Sequence, residues 1–371
     1  MKKIIIIGSG IIGASCAYNL ANENVDVTII DAAIPGRATS AAAGIICPWL
    51  SKRRNKDWYT LAKNGAAYYN TMIHQLAEDG FTNTGYKKVG AIRLHEDTAK
   101  LEELKEIAIC RRELAPEIGD VHLLQQQEVQ QKFPYIDEKY NGLFIEGAAR
   151  VDGRLLRDSL LQAAIQHGVK LIEGKALLKH SNDKINTVFV NNQVLEADQI
   201  IVTNGVWMTE LFKPLQIHLN IQAQKGEVIH LQMANENTDS FPVIMPPNNQ
   251  YMLSFEQGRM DIGASHHHVQ KLDTSITTDG MYYVLDQALK MAPSLVNSTI
   301  IETRAGFRPF TFNHLPVFGP IPGHEHFLIA NGLGASGLTT GPYIGKLLAN
   351  LSTHKQIGIP IEAYRVEQIM N

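Results

Sequence analysis

Two glycine clusters and one arginine carry most of the chemistry that can be read from this sequence. The first cluster, Gly8-Ser9-Gly10-Ile11-Ile12-Gly13, has GxGxxG spacing, and an acid, Asp31, stands 18 residues after its third glycine. Gly8 permits a tight turn, Gly10 lets a pyrophosphate approach the backbone, and Gly13 lets a helix pack close to a strand. Asp31 can accept hydrogen bonds from both hydroxyls of a ribose, and its charge repels a 2′-phosphate. The second cluster spans Gly332 to Gly341 and again lies ahead of a helix. It aims N–H groups and a partial positive charge at something electron-rich. Arg308, followed by Pro309, offers a planar guanidinium that can grip a carboxylate through two parallel hydrogen bonds. The run His266-His267-His268 has no carboxylate spacing to complete a metal site and reads as a polar strand end. No metal is expected.

These residues need rigid elements to place them. Ile4–Ile7 is an apolar run without alternation, suited to a parallel strand buried on both faces. A helix over 14–22 and a second strand over 25–30, closed by Asp31, complete a βαβ unit. In that context GxGxxG indicates an ADP-containing dinucleotide, without separating FAD from NAD. Phe327–Ala330 reads as a strand and Pro342 to Leu351 as the helix after the second cluster. Lys100 to Leu114 reads as a helix with Leu101, Leu104, Ile107 and Ala108 on one face. Lys52-Arg53-Arg54 reads as a solvated loop.

Composition narrows the class. The 371 residues are 44 % apolar and 19 % charged, with a net charge of −3. That charged fraction is below the ~25 % usual for soluble domains, so a large core or a large ligand is expected, and disorder is excluded as the dominant state. Near-neutral charge gives no reason to expect nucleic-acid binding. No apolar run approaches the ~20 residues of a membrane helix. Lys2-Lys3 before Ile4–Ile7 imitates a signal peptide, but Gly8, Ser9 and Gly10 break the run. Cys16, Cys47 and Cys110 are distant and odd in number, which fits a reducing, cytoplasmic setting.

After Asp31 the sequence runs through Arg37-Ala38-Thr39-Ser40-Ala41-Ala42-Ala43-Gly44. GxGxxG, the acid, then Thr-Ser-x-x-Ala-x-Gly resembles the D-amino acid oxidase family of FAD enzymes, which includes glycine oxidase, sarcosine oxidase and D-amino acid dehydrogenases. The resemblance implies FAD. It assigns the dinucleotide to Gly8, Gly10, Ile11, Ile12, Gly13 and Asp31, and the pyrophosphate and flavin edge to Thr39, Ser40, Ala42, Ala43 and Gly44. Val151-Asp152-Gly153 is similar to the family's Val-Asp-Pro, with glycine where proline is usual. The segment Val169 to Leu177 matches one that lies against the adenine, which implicates Leu177. Ala197 to Trp207 is similar to a strand ending in Ala-Gly-x-Trp, which brings Gly205 and Trp207 to the cofactor; taken alone, Trp207 reads as a core aromatic. Gly334, Ala335, Ser336, Gly337, Leu338 and Thr339 are implied to face the flavin where reduction builds negative charge.

For the substrate, Gly306-Phe307-Arg308-Pro309 matches the family's Gly-x-Arg-Pro, whose arginine holds a carboxylate. Tyr251 matches a hairpin tyrosine that adds a second hydrogen bond, although Ser254 replaces the usual proline. Phe310, Thr311 and Phe312 stand where sarcosine oxidases carry a flavin-linking cysteine, so non-covalent FAD is expected. Asp261 is read where those enzymes place a lysine, and Ala335 where glycine oxidase has an arginine.

The fold class expected is α/β: a Rossmann-type FAD-binding domain, residues 1–85, 142–212 and 302–371, interleaved with an α+β substrate domain, residues 86–141 and 213–301, carrying an antiparallel sheet. The expected activity is oxidative deamination of a small D-type or glycine-type amino acid, with hydride passing from Cα to flavin N5. The alternatives are an FAD-dependent dehydrogenase of proline-like or N-methyl cyclic or secondary amines using a non-oxygen electron acceptor, and a non-catalytic FAD-binding subunit of an assembly. Oxygen or an electron carrier takes the electrons, and a homo-oligomer is compatible with the sequence.

Overall fold

Ile4, Ile5, Ile6 and Ile7 are all buried, because their strand, Lys2–Ile7 (β1), lies inside a six-stranded sheet. Parallel neighbours flank it: Val25–Asp31 (β2) on one side and Gln199–Val202 on the other. Lys170–Glu173 extends the sheet beyond β2, and His324–Asn331 extends it beyond Gln199–Val202, both in parallel. Val317–Ile321 closes the far edge antiparallel. The computed structural model describes residues 1–179, 187–234 and 237–370; residues 180–186, 235–236 and 371, which fall inside the expected ranges 142–212, 213–301 and 302–371, lie outside the described residues. Among the described residues no helix is long and apolar enough to cross a membrane.

Two helices converge beneath this sheet. The first, Ile11–Ala21 (α1), begins three residues before the expected start, immediately after Gly10. The C-terminal helix, Gly337–Ser352, begins five residues before the expected Pro342 and carries that proline inside it. Proline has no N–H for the carbonyl four residues back. That carbonyl, on Leu338, instead accepts the Tyr69 hydroxyl at 2.7 Å, so the helix continues. Gly345 lets the two helices cross closely, since a Cβ there would lie 2.7 Å from the Ile12 carbonyl oxygen. Ser15 Oγ donates across the crossing to the Pro342 carbonyl at 2.7 Å. The helix Thr98–Arg112 buries Leu101, Leu104 and Ala108, as its periodicity indicates, and Asp97 caps it.

A nine-stranded sheet lies opposite. Its longest pairing joins Gln222–Gln232 to Thr299–Phe310, antiparallel, with Gln224 beside Arg308. Alternation sends Ile229, Leu231, Met252 and Ile262 to a core shared with the helix Thr278–Met291. Val228, Tyr251 and Leu253 join the core shared with α1. The strands Asn141–Ile145 and Thr299–Phe310 belong to this sheet, so the expected limits near 142 and 302 fall within strands. Thr299–Phe310 connects the two regions: Phe307 bridges to Arg37, and Phe310 bridges to Leu333 beside the second glycine cluster.

Candidate active site

A cavity of about 840 Å³ runs between the two sheets. The ends of β1 and β2 open onto it, as do the N-termini of α1 and the C-terminal helix. Neither helix is capped by the side chain of its own N-cap residue or has an acid in its first turn, so both present N–H groups and positive potential to the cavity, although Thr39 occupies the Ile11 N–H. Gly8 takes φ +98° and donates its N–H to the Ile30 carbonyl at 2.9 Å. The glycines of the motif answer to different neighbours. A Cβ at Gly13 would sit 1.9 Å from the Gly8 carbonyl oxygen, whereas a Cβ at Gly10 would meet only Thr39 Oγ1, at 3.5 Å. Protein packing therefore demands glycine at 13, and open space beside Gly10 leaves room for a phosphate.

Asp31 is already engaged. It accepts from Ser9 N at 2.6 Å, Ser9 Oγ at 2.7 Å, Ala33 N at 2.7 Å and Arg37 at 2.5 Å. Burial opposes its charge, but the Ser9 and Ala33 hydrogen bonds and the Arg37 charge outweigh it and hold the carboxyl below its usual range. Arg37 also lines the cavity, an ion pair not foreseen in the sequence.

Of the residues assigned to the cofactor, Gly8, Gly10, Ile11, Ile12, Asp31, Thr39, Ala42, Ala43, Gly44, Leu177, Gly205, Trp207 and Gly334 to Thr339 all line the cavity. Gly13 and Ser40 do not: Gly13 lies under the turn, and the Ser40 carbonyl accepts from Arg304 at 3.2 Å. Thr39 Oγ1 accepts the Ile11 N–H at 3.1 Å. Gly44 is required by packing, because a Cβ would lie 1.9 Å from the Val151 carbonyl oxygen. Gly153 has a similar reason: a Cβ would meet the Thr39 carbonyl oxygen at 2.3 Å, so this backbone has no room for the proline usual there. The second glycine cluster is held from outside. Trp58 Nε1 donates to Ser336 Oγ at 3.0 Å, and Thr339 Oγ1 to the Ile45 carbonyl at 3.1 Å.

At the other end, Arg308 donates to Gln224 Oε1 at 3.1 Å, the Ser265 carbonyl at 3.3 Å and His266 Nδ1 at 3.0 Å. These partners are all uncharged, and Arg308 has no ion pair with a carboxylate among the described residues. Burial first and then Arg308 keep the His266 pKa below its usual value, so the ring stays neutral and accepts. Tyr251 is buried on the same wall, and its hydroxyl fits because residue 263 is glycine: a Cβ there would be 2.6 Å away. Burial raises the phenol pKa, with Arg308 opposing, which leaves a neutral donor.

Asp261 lies on the strand Arg259–Gly263, paired with Tyr251–Ser254. It is absent from the cavity wall, lying 3.2 Å from Arg259 and 3.4 Å from His230 in a buried network that continues to Asp152. Lys52 and Arg53 are exposed, as a solvated loop should be, yet they rim the cavity, and Arg53 lies 4.6 Å over the Trp58 ring. Sequence reasoning missed Arg93, Trp58 and the segment Asn248–Gln250, which also line it. No local motif marks them, because they come from strands and loops that meet only in the fold. Among the described residues no histidine, cysteine and acid cluster could hold a metal ion.

The chain is 49 % identical to the uncharacterized oxidoreductase YurR of Bacillus subtilis (strain 168), covering 98 % of each. It is 26 % identical to glycine oxidase of Pseudomonas putida, over 95 % of this chain and 94 % of that protein. Among solved structures it is similar to iminodiacetate oxidase from Chelativorans sp. BNC1, with a TM-score of 0.94, 39 % identity and 98 % of both chains covered. The DAO model, described as FAD dependent oxidoreductase, matches residues 3–351. With that match running from the first strand to the last helix, the chain belongs to the DAO family of FAD-dependent oxidoreductases.

Proposed function

We propose that this enzyme oxidises the C–N bond of a small amino acid, with the substrate carboxylate held by Arg308 and Tyr251. The observation that carries the reading is the set of uncharged partners around Arg308, which leaves its positive charge to be neutralised by a ligand. Arginine and carboxylate pair bidentately, and that fixes the adjacent Cα relative to the flavin. Bound FAD supplies the two-electron acceptor. The residues that would hold it are those of the two glycine clusters, Asp31, the Thr39–Gly44 segment, and Leu177, Gly205 and Trp207. Segments 1–85, 142–212 and 302–371 then carry the cofactor, and 86–141 and 213–301 cover the substrate.

No side-chain base is required where the amine binds unprotonated. The neutral His266 and Tyr251 leave Arg308 as the cation at the carboxylate's place on that wall. The imino acid formed hydrolyses outside the chemical step. Non-covalent attachment is supported by Phe310, Thr311 and Phe312, and by Cys47, the cysteine on the cavity wall, whose thiol burial pushes up to about 12. The three cysteines are free, which suits a cytoplasmic setting.

A second reading, oxidation of a secondary amine, is favoured by the 39 % identity to an iminodiacetate oxidase and by Ala335, which leaves that wall without an arginine. Anaerobic mixing of the yellow enzyme with glycine, D-amino acids, sarcosine, proline and iminodiacetate tests both readings. Bleaching is expected with at least one. Bound FAD without bleaching by any of them would identify a non-catalytic flavoprotein instead. Stoichiometric peroxide would distinguish an oxidase from a dehydrogenase that passes electrons to a carrier.

A further inference from the structure

Arg93 is half-buried on the cavity wall, yet its guanidinium makes no hydrogen bond, ion pair or ring contact with any described residue. Burial lowers its pKa, and the opposing influence comes from the Cys47 thiol, which is itself kept protonated. An arginine remains charged in proteins, and a buried charge without a partner is costly. The rest of the wall offers no compensation. Asp31 and Glu210 are the acids that line the cavity, and each is paired, with Arg37 at 2.5 Å and Lys175 at 3.0 Å. Lys52, Arg53 and Lys100 add to the positive side. Arg93 also lies toward the substrate end. It sits in register beside Met245, and Pro247 to Tyr251, which follow Met245, line the cavity.

We propose that Arg93 binds a second carboxylate of the substrate, so that the substrate is an amine flanked by two acids, an N-carboxyalkyl amino acid. This rests on the secondary-amine reading above and specifies its substrate class. Arg308 holds the carboxylate next to the carbon that is oxidised, and Arg93 holds the one on the nitrogen substituent. One C–H bond breaks, its hydrogen and both electrons leave to the flavin as hydride, and the nitrogen loses its proton as C=N forms. Water adds to that bond and the C–N bond breaks. The products are a 2-oxo acid and a primary amine bearing the second carboxylate, and the electrons pass on to oxygen or a carrier.

The test uses the FAD-loaded enzyme and two inert ligands: diglycolate, with two carboxylates about an ether oxygen, and methoxyacetate, with one. Binding is read from the visible flavin spectrum. A charge-assisted hydrogen-bonded pair is worth roughly tenfold to a hundredfold. Diglycolate should therefore bind the wild type at least about tenfold tighter than methoxyacetate. Arg93→Gln should erase that preference without weakening methoxyacetate, and Arg93→Lys should restore part of it. With iminodiacetate and sarcosine as substrates, Arg93→Gln should raise KM for the first alone. Equal affinity of the two ligands in the wild type, or a preference that survives in Arg93→Gln, would overturn the proposal. Diglycolate binding that depends on Arg93, in an enzyme that oxidises no amine, would instead overturn the secondary-amine reading and leave the anion site standing.

Discussion

Arg308 donates through Nη1 to His266 Nδ1 at 3.0 Å, which makes Nδ1 the unprotonated nitrogen of that imidazole. Protonating the ring would remove this acceptor and set two cations side by side. Because the His266 pKa lies below its usual 6.5, the charge change falls on the acid side of that value. The pH profile of kcat/KM for a carboxylate substrate should carry no limb from His266 above pH 6.5. His266→Ala removes one hydrogen bond that orients Arg308, worth about 0.5–1.5 kcal/mol. KM should rise about 2- to 10-fold, with kcat altered less. Steady-state kinetics that showed a fall in kcat at unchanged KM would count against this orienting role.

Replacing Arg308 itself has a larger expected effect. Lysine keeps the charge but loses the fork that meets a carboxylate at two points. Arg308→Lys should lower kcat/KM about 10- to 100-fold, and Arg308→Ala further, since charge-assisted hydrogen bonds contribute about 1.5–3 kcal/mol each. Flavin binding should be unaffected, because Arg308 packs against Gln224, Ser265 and His266 rather than the glycine clusters. Bound-flavin absorbance measured beside the kinetics separates the two effects.

The glycines of the first cluster predict a contrast between stability and cofactor affinity. Gly13→Ala would place a Cβ 1.9 Å from the Gly8 carbonyl oxygen, an overlap with backbone that cannot be relieved by rotating a side chain. It should destabilise the apoprotein by several kcal/mol, on the order of the larger packing losses seen in cores. Gly10→Ala meets only Thr39 Oγ1 at 3.5 Å. It should melt near the wild-type temperature without FAD and bind FAD more weakly. Thermal melts of the apoproteins and a flavin titration distinguish the two variants, and equal behaviour would refute the division of roles.

The local part of this fold was legible because local rules determine it. Four β-branched residues followed by GxGxxG and an acid leave few alternatives to β1, α1 and β2. The helix starts were misplaced for equally local reasons. α1 begins inside the motif, where Gly10 serves as its cap. The C-terminal helix tolerates Pro342 because Tyr69, more than 250 residues away in the chain, occupies the freed carbonyl. The same limit hid Arg93 and the Asp31–Arg37 pair. Each is one ordinary residue in its own segment and acquires meaning only from what other segments bring near it. Asp261 shows the same limit: its sequence position marks it only as replacing a lysine, whereas Arg259 on its own strand and His230 on the adjacent one draw it into a buried network.

That network yields a prediction about pH. His230 and Asp261 are both buried, 3.4 Å apart. Burial, then the Arg304 and Arg259 charges, pushes the His230 imidazole down to about 3. Burial pushes the Asp261 carboxyl up to about 7, with Arg259 opposing. Near pH 5 the folded protein therefore carries its proton on Asp261, whereas the unfolded chain, with ordinary values, carries it on His230. The pair binds one proton in either state, so its net contribution to the pH slope of stability between about 4 and 6.5 is close to zero. Each single substitution should expose the other group. In Asp261→Asn, His230 remains with a lowered pKa, the unfolded state binds more protons, and stability should rise with pH across that window by up to about 1.4 kcal/mol per unit. In His230→Asn, Asp261 remains with a raised pKa, the folded state binds more protons, and stability should fall by up to about 1.4 kcal/mol per unit from pH 4 to 7. Denaturant midpoints measured from pH 4 to 7 for the three proteins give the slopes, and slopes of the same sign in both variants would show that the two groups do not exchange the proton.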